Sequence, residues 1–325
     1  MNAITCLSMS CVASDADRLA LIVYLDHLAP SGRRSMRSLL QRVGACFGWQ
    51  GDCAEWPWLS LRYAALMQLR ATLSAADLSV NTVNTTLAAV RGVLKAGFQL
   101  GAYSADEWQR IQAVPNVRGR RVTKGRQLTP REVERLLAAC RADDNPLRAL
   151  RDEVILTVLL YAGLRRTELV RLNVDDFNPR SGLLQIQFGK GNKQRAVSLP
   201  NPAKQKLKAW LKQRGAMAGP LFVHVDELPS KQRQKQNCKK PMSAIPSALS
   251  AHQVYALLRR RCRQANVALC SPHDLRRTFV SRLLELGVDL NTARQLAGHE
   301  HVQTTTLYDR RSDKNQRQAM ANFRF

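Results

Sequence analysis

The sequence predicts a mainly α-helical chain with one small antiparallel β-sheet, arranged as two domains. Three observations predict it. Apolar residues recur at helical spacing through most of the first hundred residues and again through the C-terminal half. Alternation is confined to Leu183–Phe188 and Arg195–Leu199, with a Gly-rich turn between them that makes a hairpin. A run at 115–127, rich in Pro, Gly and Arg, separates two segments of contrasting charge.

Residues 1–14 form a leader expected to be flexible, with no basic n-region and apolar runs too short for an export signal. Asp15 is placed to cap a helix that buries Leu19, Ile22, Val23 and Leu25 and ends near Pro30. A second helix, 31–47, carries Met36, Leu39, Leu40, Val43 and Phe47 inward and leaves Arg33, Arg34, Arg37 and Arg42 outside. Helices at 59–73 and 79–100 come next. The latter buries Val83, Leu87, Val90, Leu94 and Phe98, and its other face offers Asn81, Thr82, Thr85, Arg91 and Lys95. Gly101 stops it, and a short helix spans 106–113. Residues 15–114 are therefore one helical domain.

Arg118, Arg120, Arg121, Lys124 and Arg126 make 115–127 a basic, extended linker. The second domain, 128–325, opens at Thr129-Pro130-Arg131-Glu132, which has cap, N1 proline and N3 glutamate. An almost wholly apolar helix, 152–161, is central, and Gly163 ends it. After the hairpin come a helix at 201–214, a candidate third strand at 221–225 and a basic insertion at 226–250 expected to be a mobile loop. The helix at 251–265 ends in Arg259-Arg260-Arg261-Cys262-Arg263, a group expected to grip a phosphate backbone. A basic tail runs from 309 to 325.

Charge narrows the function. The chain holds 50 Lys and Arg against 25 Asp and Glu, a formal +25. Residues 1–115 carry +2 and residues 116–325 carry +23, so the footprint for a polyanion lies on the second domain. Eight Cys with no C-x-x-C pair indicate reduced thiols, and Cys262, Cys270 and His273 fit no zinc spacing. No apolar run approaches the ~18 residues of a membrane span.

The chemistry gathers in separated motifs. His273 and Arg276 share the first turn of a helix that opens after Pro272, which places two cation-capable donors on one face. Gly298 allows a sharp turn that brings His299 toward the same place, and a short helix at 304–308 carries Tyr308. A phenol is a poor nucleophile near neutral pH and needs an electrophile whose oxygens are neutralised beside it. Upstream lie Gly163-Leu164-Arg165-Arg166-Thr167-Glu168-Leu169 and Gly189-Lys190-Gly191-Asn192-Lys193-Gln194-Arg195. Glu168 is expected to be structural, fixing local backbone or an Arg.

With those residues in order, the chain resembles the tyrosine recombinases of the phage integrase family over about residues 125–310, in boxes of the form G-L-R-x-x-E-L, G-K-G-N-K, H-x-L-R, G-H and a terminal Tyr. The resemblance implies a helical, SAM-like core-binding domain joined to a mixed α/β catalytic domain, the two closing on DNA. It implies site-specific recombination through a 3′-phosphotyrosine and a Holliday junction, on duplex DNA, by a homotetramer that is a monomer or weak dimer when free, with accessory proteins as further partners. The expected catalytic set is Arg165, Lys190, His273, Arg276, His299 and Tyr308. Arg165 and Arg276 would hold the phosphate, His299 would donate to it, and His273 would help take the Tyr308 proton or orient the phosphate. Lys190, by its match to the family box, is preferred to Lys193 as the acid that protonates the leaving oxygen. Arg33, Arg34, Arg37, Thr85, Arg91, Lys95, Arg120, Arg121, Lys193 and Arg259 are candidates for DNA contact. No cofactor, metal or membrane is expected, and the location implied is cytoplasmic and nucleoid-associated in a prokaryotic or phage setting. Type IB topoisomerase-like religation and a catalytically silent DNA-binding regulator are the alternatives.

Overall fold

The computed structural model describes residues 13–119, 125–187, 194–215, 217–228, 246–300 and 302–306. The chain divides into two compact units, Met1–Thr123 and Lys124–Phe325. The first is helical: α1 (Asp15–Asp26), α2 (Pro30–Cys46), α3 (Tyr63–Ala75), α4 (Val80–Gln99) and α5 (Ala105–Gln112). α4 is its central helix, capped by Ser79, whose hydroxyl accepts from the backbone of Thr82. It buries Val83, Leu87, Val90 and Leu94 as expected, and Thr86, Ala89 and Val93 besides. The helix stops before Gly101, which has φ +82°.

α1 departs from expectation. Ser14, not Asp15, caps it, in a box closed by Asp17. The buried face is Asp17, Ala20 and Leu21, while Leu19 and Ile22 are 46% and 54% exposed. The reason is polar: the Asp17 carboxylate also accepts from the backbone N–H of Leu59 at 2.7 Å, which turns that side of the helix inward.

In the second unit α6 (Pro130–Arg141) begins at the predicted Thr129 box. It is followed by α7 (Pro146–Ala162), α8 (Arg166–Leu169), β1 (Leu183–Ile186), β2 (Arg195–Ser198) and α9 (Asn201–Arg214). Then come α10 (Ala251–Gln264), α11 (Pro272–Glu285), α12 (Leu290–Ala297) and α13 (Val302–Thr306). β1 and β2 pair antiparallel from Leu183 opposite Ser198 to Ile186 opposite Arg195. The mainly helical class with one small antiparallel sheet is thus what the molecule has. The candidate third strand is not one. Leu221, Phe222 and Val223 are buried in succession rather than alternately, and of the three only Val223 forms an isolated bridge, to Ala248.

α7 is buried almost all round, Asp152 included. Asp152 Oδ2 accepts from Arg261 Nη2 at 2.6 Å and Arg260 Nη2 at 2.8 Å, and its Oδ1 accepts from Arg151 Nη2 at 2.8 Å. Arg261, expected on a DNA backbone, is instead fully buried and reaches Asp143 Oδ2 at 2.7 Å as well. A buried guanidinium needs such carboxylates, and removing one partner typically costs about 3–5 kcal/mol. Residues 125–127, placed by composition in the linker, are bonded to α11. The backbone N–H of Arg126 donates to Asp274 at 2.9 Å, and Gly125 O accepts from Arg277 Nη1 at 2.8 Å. Among the described residues no helix is long and apolar enough to cross a membrane.

Candidate active site

Two left-handed glycines shape the site. Gly163 caps α7 at φ 57° and turns the chain so that Arg165 becomes the N-cap of α8. Gly298 caps α12 at φ 66° and delivers His299. Most L side chains avoid this region, so glycine is what lets both helices end where they do. The third support is α11, whose capping box of Ser271 and Asp274 fixes the first turn that carries His273 and Arg276.

These pieces meet at Glu168, which is 3% exposed. Its carboxylate accepts from the Arg165 backbone N–H at 2.9 Å and from Arg165 Nη1 at 2.6 Å. Arg195 grips it from the other side, Nη2 to Oε2 at 2.8 Å and Nη1 to Oε1 at 3.2 Å. Arg276 Nη1 lies 4.0 Å from Oε2 and donates to Gly163 O at 2.6 Å. Arg165 Nη2 donates to Gly298 O at 2.9 Å, which ties the first guanidinium to the turn before His299. Burial raises the Glu168 pKa, but the Arg195 hydrogen bonds and charge, with those of Arg165, outweigh it and hold the carboxyl below its usual range.

His299 is 5% exposed, with Nδ1 2.9 Å from the Thr305 hydroxyl. Burial, then the charges of Arg276, Arg165, His273 and Arg195, push its pKa down to about 3. The ring is therefore neutral at working pH, with Nδ1 engaged by Thr305. His273 stands at an exposed position on α11. Partial desolvation, then Arg276, Arg277 and Arg165, lower its pKa too. The imidazole is accessible and neutral near pH 7, and the guanidiniums beside it weaken it as a base.

The structure thus brings Arg165, His273, Arg276 and His299 into one electrostatic neighbourhood. Lys190 and Tyr308 lie outside the described residues, as do Arg120, Arg121 and Lys193. Among the other DNA candidates, Arg33 pairs with Asp26 at 3.0 Å and Arg37 with Asp52 at 2.9 Å. Arg91 is part-buried and donates to Val114 O at 3.1 Å. Thr85 bonds Asn81 O at 2.6 Å, whereas Arg34 and Lys95 are exposed. Arg259 lies 5.8 Å from the Tyr255 ring centroid. Cys262 and Cys270 are buried with their sulfurs 3.4 Å apart, and among the described residues no His, Cys, Asp and Glu group could hold a metal.

Arg195 is the residue that motif reading passed over. A signal was present, since alternation puts it on the same face of β2 as buried Val197, and an inward Arg requires a carboxylate.

A helical scaffold that ends two helices on left-handed glycines to assemble two guanidiniums and two imidazoles defines a phosphate-handling enzyme class. The chain belongs to the phage integrase family, whose model matches residues 126–315. It is 28% identical over 254 residues to the tyrosine recombinase XerA of Pyrococcus furiosus, covering 78% of each chain. Among solved structures it resembles a lambda integrase dimer bound to a core site, at TM-score 0.68 and 13% identity, covering 93% of this chain and 97% of that one. It also resembles a lambda integrase tetramer bound to a Holliday junction, at TM-score 0.65 and 12% identity, covering 89% and 76%. Its activity is that of a site-specific tyrosine recombinase, an enzyme of DNA recombination.

Proposed function

We propose that this chain cleaves and rejoins duplex DNA at specific sites by attack of Tyr308 on a backbone phosphorus. The product of cleavage is a protein-linked 3′-phosphotyrosine and a free 5′-hydroxyl. The observation that carries this is the gathering of Arg165, Arg276, His273 and His299 about Glu168 and the Gly298 turn.

Negative charge grows on the non-bridging oxygens in the transition state. Guanidiniums match that geometry and stay charged at any working pH, so Arg165 and Arg276 bind those oxygens and His299 adds a neutral donor. His273 takes the Tyr308 proton or orients the phosphate. Lys190, rather than Lys193, protonates the departing 5′-oxygen, because an ammonium can release a proton where a guanidinium cannot. The bond energy is kept in the phosphotyrosine, which is why neither nucleotide nor metal enters the scheme.

Attack by a 5′-hydroxyl from a partner duplex then exchanges strands through a Holliday junction, in a homotetramer formed on DNA from a monomer or weak dimer, with accessory proteins setting direction. The site of action is the nucleoid of a prokaryotic cell. The family boxes and the charge excess on residues 116–325 support this course. The domain division proposed is a helical DNA-gripping domain at 15–114, a basic linker and a catalytic domain from 128, with Arg33, Arg34, Arg37, Thr85, Arg91 and Lys95 as the DNA contacts of the first.

Nicked suicide duplexes carrying the protein's own flanking DNA test the mechanism. Wild type is expected to form a covalent adduct in the presence of a chelator, and Tyr308→Phe to bind DNA without forming one. Lys190→Ala is expected to slow cleavage by about a hundredfold or more and to recover when the 5′-leaving group is made more acidic. An adduct that persists in Tyr308→Phe would refute the nucleophile.

A further inference from the structure

Arg195 reaches the site from the first residue of β2, and its side chain is 11% exposed. It takes both oxygens of Glu168, at 2.8 and 3.2 Å, and its Nε donates to Leu296 O at 3.2 Å. One buried carboxylate therefore stands among three guanidiniums, those of Arg165, Arg195 and Arg276. Charge balance sets the response to losing Arg195. A carboxylate 3% exposed cannot remain partly compensated, so it would draw more fully on the cations still beside it. Those are Arg165, already at 2.6 Å, and Arg276, at 4.0 Å.

We propose that Arg195 is a positioning residue for DNA cleavage: a counter-cation that shares the Glu168 charge with Arg165, so that less of the charge of Arg165 and Arg276 is spent on the protein and more faces the scissile phosphate. This rests on the mechanism above, in which those two guanidiniums bind phosphate. The bond to Leu296 O extends the role. Arg195 holds the last turn of α12 while Arg165 holds Gly298 O, so the turn that delivers His299 is anchored from two sides. Gly298 makes room for this, since a Cβ there would stand 2.6 Å from Arg195 Nη1.

A purely structural Arg195 and a charge-balancing one differ in their response to a second substitution. Removing Arg195 alone leaves Glu168 to quench its neighbours. Removing the Glu168 charge as well relieves the quenching, although it breaks more of the native network. The experiment is single-turnover adduct formation on suicide duplexes at saturating DNA, with DNA affinity and melting temperature measured in parallel, for wild type, Arg195→Gln, Glu168→Gln and the double variant. Arg195→Gln is expected to slow cleavage by about a hundredfold, the scale of losing one preorganised donor, with DNA affinity changed far less. The double variant is expected to cleave at least about tenfold faster than Arg195→Gln, since the lost donor strength is what the second change returns.

A double variant no faster than Arg195→Gln would overturn the proposal. Should Arg195→Gln fail to fold, Arg195→Lys keeps a cation beside Glu168 without the two-pronged grip. Arg195→Lys cleaving within about tenfold of wild type would then support charge balance, and slower cleavage at an unchanged melting temperature would overturn it. Wild type itself supplies the separating control. If it forms no adduct, the cleavage mechanism falls and the role of Arg195 with it; if it does and the double variant shows no recovery, only the role of Arg195 falls.

Discussion

At the scale of single residues the site runs on desolvated bases and unconditional cations. His299 illustrates the consequence for pH. Its pKa in the folded chain is about 3, against about 6.5 when unfolded. Between those values the unfolded chain binds the extra proton, so this residue destabilises the fold as pH falls through the window and costs nothing above it. By pH 5 the penalty is about 2 kcal/mol on that linkage. His299→Gln is expected to lose this component: its melting temperature should fall less than that of wild type between pH 7 and pH 5. Equal slopes for the two proteins would show that the imidazole is not held neutral. A phosphate beside the ring would supply the opposite charge and raise the pKa, so DNA should also flatten the wild-type slope.

At the scale of elements, the two left-handed helix ends make a controlled pair. Gly163 and Gly298 have nearly the same φ, but a Cβ at Gly163 would stand 2.3 Å from the Phe279 ring, whereas at Gly298 it meets the Arg195 guanidinium at 2.6 Å. Forcing alanine into this region costs about 1–2 kcal/mol, and overpacking a ring adds about 1–3 more. Gly163→Ala is therefore expected to lower the melting temperature by roughly 5–15 °C and Gly298→Ala by less. Cleavage by Gly298→Ala should nevertheless suffer more than its stability, because the displaced group is the Arg195 guanidinium. Comparable melting temperatures for the two variants would refute this ordering.

Such local signals were legible in the sequence. The capping box at Thr129, the glycine stops at Gly101 and Gly163 and the hairpin strands each arise from residues within a few positions of one another. What was not legible depends on partners far away in the chain. Arg261 is buried because Asp152, 109 positions distant, meets it, and Arg195 because Glu168 lies 27 positions back. Alternation with Val197 marks Arg195 as inward without naming its carboxylate, and nothing within one turn of Arg261 distinguishes it from a surface cation. The face of α1 was misjudged for the same reason, since Asp17 finds its partner 42 residues on at Leu59.

At the scale of the whole molecule, the excess of positive charge is nearly all on residues 116–325, the part that also holds the active site. Binding to a duplex neutralises phosphates and releases the counterions condensed on them, so affinity falls with salt in proportion to the phosphates engaged. If about eight are neutralised, log K against log salt should have a slope near −7, a loss of roughly ten-thousandfold between 50 and 200 mM. Anisotropy titrations of the Tyr308→Phe protein, which removes the covalent step, measure that slope directly. A value shallower than about −2 would mean that the charge is merely solvated. Neutralising an exposed cation such as Arg34 or Lys95 should reduce the slope by about one where it meets a phosphate. Neutralising Arg261, which is committed to Asp152 and Asp143, should leave the slope unchanged and lower stability instead. The division of this chain's arginines between those that meet DNA and those that hold the fold is therefore measurable as two observables, a salt slope and a melting temperature, that move independently.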